Sequence, residues 1–402
     1  MQGLIGPLKE LAEFEELCKN KKKDVGMIRV CGCVNSQKSH MMYALGDGCK
    51  YKVIACSSET KAKQIYEEYR FLDSNTYLYP AKDFLFYQAD IRSKELVKQR
   101  MEGIQAVLSG EPVTVVTSLD GFMDHLAPKE SIAEKVLKIQ NDSVLKLDEM
   151  AEKLSVIGYD REVQVEGPGQ FAVRGGILDI YPLTEELPVR IELWGDEVDS
   201  IRTFDVESQR SIENLMDIVI YPAVEFPQNG EKGVSFLDYF PPEDTILFLD
   251  EPVRLVERGQ NIEDEFMEAQ KKRLESGYDL EEEEAKIFPV TEILKKINCY
   301  SSIGFYALGM KCKGLEVRES YEIQAKSVNP YNNSFEMLTQ DLKRLKRNGY
   351  RVILLSGSRT RAKRLAEDLR DYNLSSYYGE ELDREVKPGE IMTAYGYIAE
   401  GY

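Results

Sequence analysis

Residues 32–39 carry the residue types and spacing of a nucleotide-binding loop. Gly32, Lys38 and Ser39 match three fixed positions of the phosphate loop G-x-x-x-x-G-K-[ST], in which backbone N–H groups and a lysine hold phosphates. The second glycine of that pattern is replaced by Gln37, whose side chain would stand where a phosphate must approach the backbone. We therefore favour a turn or helix cap here over a working nucleotide site.

The single tryptophan, Trp194, ends a strand-like segment whose side chains alternate in polarity. Because neighbouring residues of a strand point to opposite faces, Ile191 and Leu193 should face a core, and Arg190 and Trp194 the other side. The same reasoning turns Arg174 outward on the preceding strand. Arginine and tryptophan dominate protein interfaces, although Trp194 covering a neighbouring helix or domain explains the pattern equally well.

Charge is unevenly distributed along the chain. Residues 151–221 contain 15 Asp and Glu against 6 Lys and Arg, so the arginines there should stand out on a negative surface. Residues 341–370 contain ten Lys and Arg against three Asp and Glu. That basic segment fits a contact with DNA, and it equally fits a solvated helix face or a contact with an acidic neighbour.

The length and composition of the chain indicate a folded protein of several domains. A chain of 402 residues exceeds the ~250–300 residues that one hydrophobic core supports. The net charge of −18 argues against DNA as the main partner. Seven cysteines and two histidines include no Cys-x-x-Cys pair, so we expect no metal site. No stretch is apolar enough to span a membrane and no secretory signal pattern is present, which predicts a cytoplasmic protein.

The elements that must position these residues indicate a multi-domain α/β protein. Apolar strands alternating with helices predict a parallel sheet with a degenerate P-loop-like fold. A separate α+β domain follows, then a third part, and then part of a Rossmann-like βαβ domain. The predicted division is 1–128, 129–222, 223–328 and 329–402. The chain stops soon after a predicted strand at 391–394, so we expect it to be part of a longer protein.

Four local predictions can be compared with the structure. One helix is expected over residues 9–19 and another over 261–276. Single strands are expected over 161–165 and 171–181.

A long motif resembles the N-terminal part of bacterial transcription-repair coupling factors (Mfd). It consists of residues 170–182 (QFAVRGGILDIYP), residues 190–202 (RIELWGDEVDSIR), and the shorter matches at 204–205 and 209–211. The resemblance extends over essentially all 402 residues. It implies that the first three parts resemble the excinuclease subunit UvrB. In that arrangement the α+β domain at 129–222 docks UvrA and is inserted between the two halves of one domain, 1–128 and 223–328.

The resemblance also implies which residues act. Carried over by motif, the UvrA-docking residues are Arg174, Arg190 and Trp194, where the family usually has another aromatic at the Trp194 position. Replacing either arginine by alanine should weaken docking tenfold or more, roughly 1.4 kcal/mol, and leave the fold intact because both side chains point outward.

The resemblance implies a binding module without catalytic residues, metal or cofactor of its own. RNA polymerase binding, double-stranded DNA translocation, and the ATP and Mg of the motor would lie beyond residue 402. The intact protein would displace stalled polymerase and recruit nucleotide excision repair. Two alternatives stay open: a UvrB-like ATP-dependent excinuclease subunit that binds damaged DNA, and a regulator that masks itself. The loop broken by Gln37, and no room for a DNA-gripping hairpin between residues 83 and 93, favour the coupling factor.

Overall fold

A computed structural model describes residues 2–21, 24–82, 94–227, 230–277, 287–332, 334–380, 382 and 384–402. The helices are α1 (Gln2–Leu8), α2 (Ala12–Asn20), α3 (Asn35–Leu45), α4 (Glu59–Leu72), α5 (Lys94–Leu108), α6 (Lys129–Glu134), α7 (Leu147–Val156), α8 (Pro252–Glu275), α9 (Val290–Ile297), α10 (Phe335–Arg347) and α11 (Arg359–Asp371).

The strands are β1 (Gly26–Cys31), β2 (Tyr51–Cys56), β3 (Thr76–Tyr79), β4 (Val113–Ser118), β5 (Leu137–Gln140), β6 (Asp160–Arg161), β7 (Gln170–Arg174), β8 (Ile177–Tyr181), β9 (Val189–Trp194), β10 (Glu197–Phe204), β11 (Ser211–Leu215), β12 (Asp217–Ile220), β13 (Thr245–Asp250), β14 (Ser301–Tyr306), β15 (Val317–Glu322), β16 (Val352–Ser356), β17 (Ser376–Gly379) and β18 (Ile391–Tyr395).

A seven-stranded parallel sheet forms the largest part of the protein. Its order is β15-β1-β14-β13-β2-β4-β3, so strands from the first 120 residues interleave with strands from residues 245–322. One face is covered by α2, α3 and α4, through residues such as Leu17 and Tyr69. The other is covered by α5, α8 and α9, through residues such as Met101 and Ile293. Apolar strands buried on both faces are what a doubly covered parallel sheet requires, and the predicted α/β class is confirmed.

A six-stranded sheet is inserted between β4 and β13. Its order is β11-β10-β9-β8-β7-β6, and all neighbours are antiparallel except β6 and β7. Its inner face packs on α7, where Leu154, Phe171, Ile191 and Ile201 are buried. β12 pairs with β5 in a separate two-stranded ribbon.

A three-stranded parallel sheet of order β16-β18-β17 completes the chain. α10 and α11 pack on one face, with Leu342 and Leu369 in that core. The other face packs against Leu4 of α1 and Phe71 of α4. The predicted βαβ character of this part is confirmed.

Four local predictions were wrong in extent. The strand expected over 171–181 is the hairpin β7–β8, because Gly175 takes a left-handed φ of +61° and turns the chain. The helix expected over 261–276 begins nine residues earlier, at Pro252, a residue favoured at the first helical position. The helix expected over 9–19 begins only at Ala12, and the strand expected over 161–165 is the short β6.

Two further predictions stay predictions. The predicted boundaries between the four parts of the chain stay predictions, because the sheets alone do not define where one domain ends. The region expected to leave no room for a hairpin, 83–93, lies outside the described residues.

Among the residues that are described, no helix is both long and apolar enough to cross a membrane.

Candidate functional site

The outer face of the inserted sheet brings Arg174, Arg190 and Trp194 to one surface. Ile191, the neighbour of Arg190 on β9, is fully buried on the inner face, as strand alternation requires. Residues paired across the strands share a face, so Asp179 on β8 stands beside Arg190 on β9. The outward orientation predicted for the three site residues is what the structure shows.

Asp179 holds both arginines of this surface. Its side chain is only 1% exposed, and its carboxylate accepts from Arg174 Nη2 at 2.6 Å. Arg190 binds the same carboxylate in a two-point contact, Nε to Oδ1 at 2.7 Å and Nη2 to Oδ2 at 2.9 Å. A buried carboxylate needs such partners, because burying an unpaired charge is costly. Sequence reasoning assigned Asp179 no role, since its function depends on the pairing of β8 with β9.

Arg190 is further fixed by contacts beyond Asp179. Its Nη2 donates to the side-chain oxygen of Gln209 at 2.8 Å, and its guanidinium lies 4.4 Å from the ring centroid of the buried Phe204. The hydrogen bonds to Asp179 raise the pKa of Arg190 above its ordinary value. Its side chain is only 14% exposed. These contacts argue against the expectation that Arg190 can be removed without cost to the fold, because outward orientation on the sheet does not mean exposure.

Arg174 is held more loosely than Arg190. It gives Asp179 one hydrogen bond, and its side chain is 44% exposed. A guanidinium carries five N–H donors in a planar fork, so most of the donors of Arg174 are available to a partner. Nearby, the positive charge of Arg202 is neutralised by an ion pair with Glu192. Arg174 is thus an accessible positive group of this surface.

Trp194 stands at the end of β9 with 85% of its area exposed. Trp194 pairs with Glu197 across the turn to β10, and Val144 forms an isolated β-bridge with Glu197. Directly opposite residues share a face, so Val144, itself exposed, belongs to the same surface as Trp194. Sequence reasoning missed Val144, which carries no local signal and reaches the sheet only through this bridge.

The degenerate nucleotide loop lies between β1 and α3, and its polar side chains bind other groups of the protein. Lys38 Nζ lies 2.7 Å from Asp250 Oδ1 and 2.6 Å from Glu251 Oε1, and both Lys38 and Asp250 are buried. Burial alone would lower the pKa of Lys38, but the two carboxylates raise it above its usual value. The lysine that would neutralise a phosphate in a working loop is therefore already neutralised by acidic side chains.

The other loop residues are engaged as well. Gln37 Oε1 accepts from the Val34 N–H at 3.4 Å, closing the first turn of α3, and Ser39 donates to the buried Glu68 at 2.6 Å. Gly32 has a φ of +85°, and a Cβ there would lie 2.1 Å from the Ile323 carbonyl oxygen. An open cavity of about 450 Å³ remains beside the loop, lined partly by Lys38, Asp250, Glu251, Lys61 and Arg254.

The inserted sheet matches a known protein family. Residues 137–226 match the UvrB interaction domain, and this segment contains all three predicted docking residues. The matched segment covers the strands β7, β8 and β9 that carry this surface.

Similarity to curated proteins extends over nearly the whole chain. The transcription-repair-coupling factor of Bacillus subtilis (strain 168) is 24% identical, with 98% of this chain and 38% of that protein covered. The chain is a relative of the transcription-repair-coupling factors. The factor of Staphylococcus haemolyticus (strain JCSC1435) is 23% identical over 82% of this chain and 32% of its own length. That of Staphylococcus aureus (strain Mu50 / ATCC 700699) is 35% identical over 158 residues, which are 39% of this chain and 13% of that protein.

The comparisons confirm the resemblance found in the sequence. The chain spans roughly a third of the length of the first two of these coupling factors, 38% and 32%.

Proposed function

We propose that this chain is the UvrA-recruiting module of a transcription-repair coupling factor. The observation that supports it is the surface formed by Arg174, Arg190 and Trp194, in which the buried Asp179 carboxylate orders two arginines beside an exposed indole. That surface lies in the segment that matches the UvrB interaction domain.

The physical argument for docking rests on preorganisation. Ordering a flexible side chain at an interface costs ~0.5–1.5 kcal/mol, and Arg190 is already ordered by Asp179, Gln209 and Phe204. Trp194 offers a large apolar area that a partner can cover, and Arg174 offers free donors suited to a carboxylate. The complementary surface on UvrA should therefore carry an acidic group beside an apolar pocket.

The remaining parts of the proposal concern the intact protein. It would bind RNA polymerase and double-stranded DNA, use ATP and Mg in a motor outside this chain, and act in the cytoplasm. For residues 1–402 we propose no catalytic step and no cofactor, since Lys38 is already paired with two carboxylates.

A UvrB-like ATP-dependent enzyme is the competing function. It requires that a nucleotide displace Asp250 and Glu251 from Lys38, at the cost of exposing or unpairing buried charges. Titration of the chain with ATP and Mg separates the two proposals, because only the enzyme should bind at micromolar concentrations.

Calorimetric titration of the chain with UvrA tests the docking proposal. We expect wild-type binding, a loss of tenfold or more for Arg174→Ala and for Trp194→Ala, on the order of 1.4 kcal/mol each, and no loss for Arg161→Ala. Arg161 is a suitable control because it is an exposed arginine at the far edge of the same sheet. Equal affinities for all four proteins would contradict the assignment of this surface, and absence of wild-type binding would favour a masked regulator.

A further inference from the structure

The most basic stretch of the chain lies outside the docking domain. Between Asp341 and Glu367 there are nine Lys and Arg residues and no Asp or Glu. The net charge of the whole chain is −18, so the remaining residues sum to −27, from −18 minus 9. A segment of this kind can attract a polyanion only if its cations are accessible and not neutralised by neighbouring carboxylates.

The cations of α11 meet both conditions. Arg359, Arg361, Lys363 and Arg364 are all exposed, and none forms an ion pair within the part of the chain that the structure describes. α11 covers the same sheet face as α10, opposite the face that meets α1. Its first turns therefore stand in solvent at the carboxyl edge of the three-stranded sheet, where β16 ends.

Tyrosine rings lie among these cations. Arg359 stands 5.8 Å from the ring centroid of Tyr395, and Lys363 stands 5.1 Å from that of Tyr378. Tyr395 is 44% exposed, and its ring meets the ring of Phe71 in a T-shaped contact. A cationic surface interleaved with partly exposed rings is the combination that binds unpaired bases, because each base can stack while its phosphate is neutralised.

We infer that this basic aromatic edge, defined as Arg359, Arg361, Lys363, Tyr378 and Tyr395, binds a single strand of nucleic acid. The rings distinguish a single strand from a duplex, whose stacked bases cannot reach a tyrosine from outside. They also distinguish it from an acidic protein surface, which needs the cations alone. The interaction is independent of UvrA docking, since it uses a different sheet.

Fluorescence anisotropy with a labelled oligodeoxythymidylate of about 20 nucleotides tests the inference. Wild-type chain should bind it with a log–log salt slope of about −2, from the three cations of the edge at ~0.7 each. The double variant Arg359→Ala/Lys363→Ala should bind more weakly, with the slope reduced by about 1.4. The control Lys271→Ala/Lys295→Ala removes the same charge from exposed sites elsewhere and should leave affinity unchanged.

The aromatic contribution is tested separately. Tyr395→Ala should lose about fivefold or more in affinity, while Tyr395→Phe should retain it, because stacking needs the ring and not the hydroxyl. Thermal melts of both variants control for folding. A duplex that binds as tightly as the single strand, equal losses in the two double variants, or equal affinity of Tyr395→Ala and Tyr395→Phe would each overturn the inference, as would absence of wild-type binding.

Discussion

Replacing Arg190 by alanine should destabilise the inserted sheet as well as weaken docking. The substitution removes two hydrogen bonds from the Asp179 carboxylate, two from Gln209, and the cation near the Phe204 ring. Asp179 is buried, and of its ion-pair partners among the described residues only Arg174 would remain to balance it. Breaking a buried ion pair costs ~3–5 kcal/mol. Because water can enter beside the partly exposed Arg174, we expect about 2–4 kcal/mol of lost stability.

Hydrogen exchange measured by mass spectrometry gives the local value, since unfolding of the whole multi-domain chain is not a two-state process. A loss of ~2 kcal/mol corresponds to ~30-fold faster exchange through opening of the sheet. Peptides covering β8 and β9 should show this acceleration in Arg190→Ala. They should exchange at the wild-type rate in Trp194→Ala, whose side chain is 85% exposed.

A double-mutant cycle identifies the cause. If Arg190 stabilises the sheet through its ion pair with Asp179, removing Arg190 from an Asp179→Asn background should cost at least ~1 kcal/mol less stability than removing it from the wild type. Unchanged protection of β8 and β9 in Arg190→Ala would refute the reasoning, as would additive effects in the cycle.

Three further predictions concern the degenerate loop and its surroundings. Lys38→Ala should lower the melting temperature in a thermal melt, because it leaves two carboxylates unpaired and so removes ~3 kcal/mol or more of local stability. Gly32→Ala should also lower the melting temperature, since its Cβ would meet the Ile323 carbonyl oxygen at 2.1 Å; an unchanged melt would contradict the close approach. Burial lowers the pKa of His40 to about 4, against ~6.5 unfolded. The corresponding stability, about 3 kcal/mol, is complete above pH ~6.5 and lost as the pH falls towards ~4. Urea titrations at several pH values should show this loss in the wild type and a smaller one in His40→Gln.

The sequence was sufficient where the relevant structure is local. Alternation along β9 predicts which way Arg190 and Trp194 point, because the period of two holds within one strand. The Gly32 and Lys38 spacing likewise locates the turn between β1 and α3. The strand-and-helix alternation that predicts a parallel sheet is a property of successive segments.

Contacts between distant segments could not be predicted. The ion pair between Lys38 and Asp250 joins residues that are 212 positions apart, and it depends on β13 lying near β1 in the sheet. The role of Asp179 depends on the turn at Gly175. The prediction of a single strand over residues 171–181 does not include that turn. Val144 joins the docking surface through one isolated bridge. Each needs the register between strands, which no local pattern specifies.

Fluorine NMR of the chain labelled with fluorotryptophan tests the central claim most directly. Trp194 is the only tryptophan, so a single resonance reports on the proposed docking surface without assignment. Added UvrA should shift and broaden that resonance, and Arg174→Ala should require a higher UvrA concentration for the same change. A resonance that stays unchanged while calorimetry records binding would place the docking site elsewhere, and no response by either method would contradict UvrA docking by this chain.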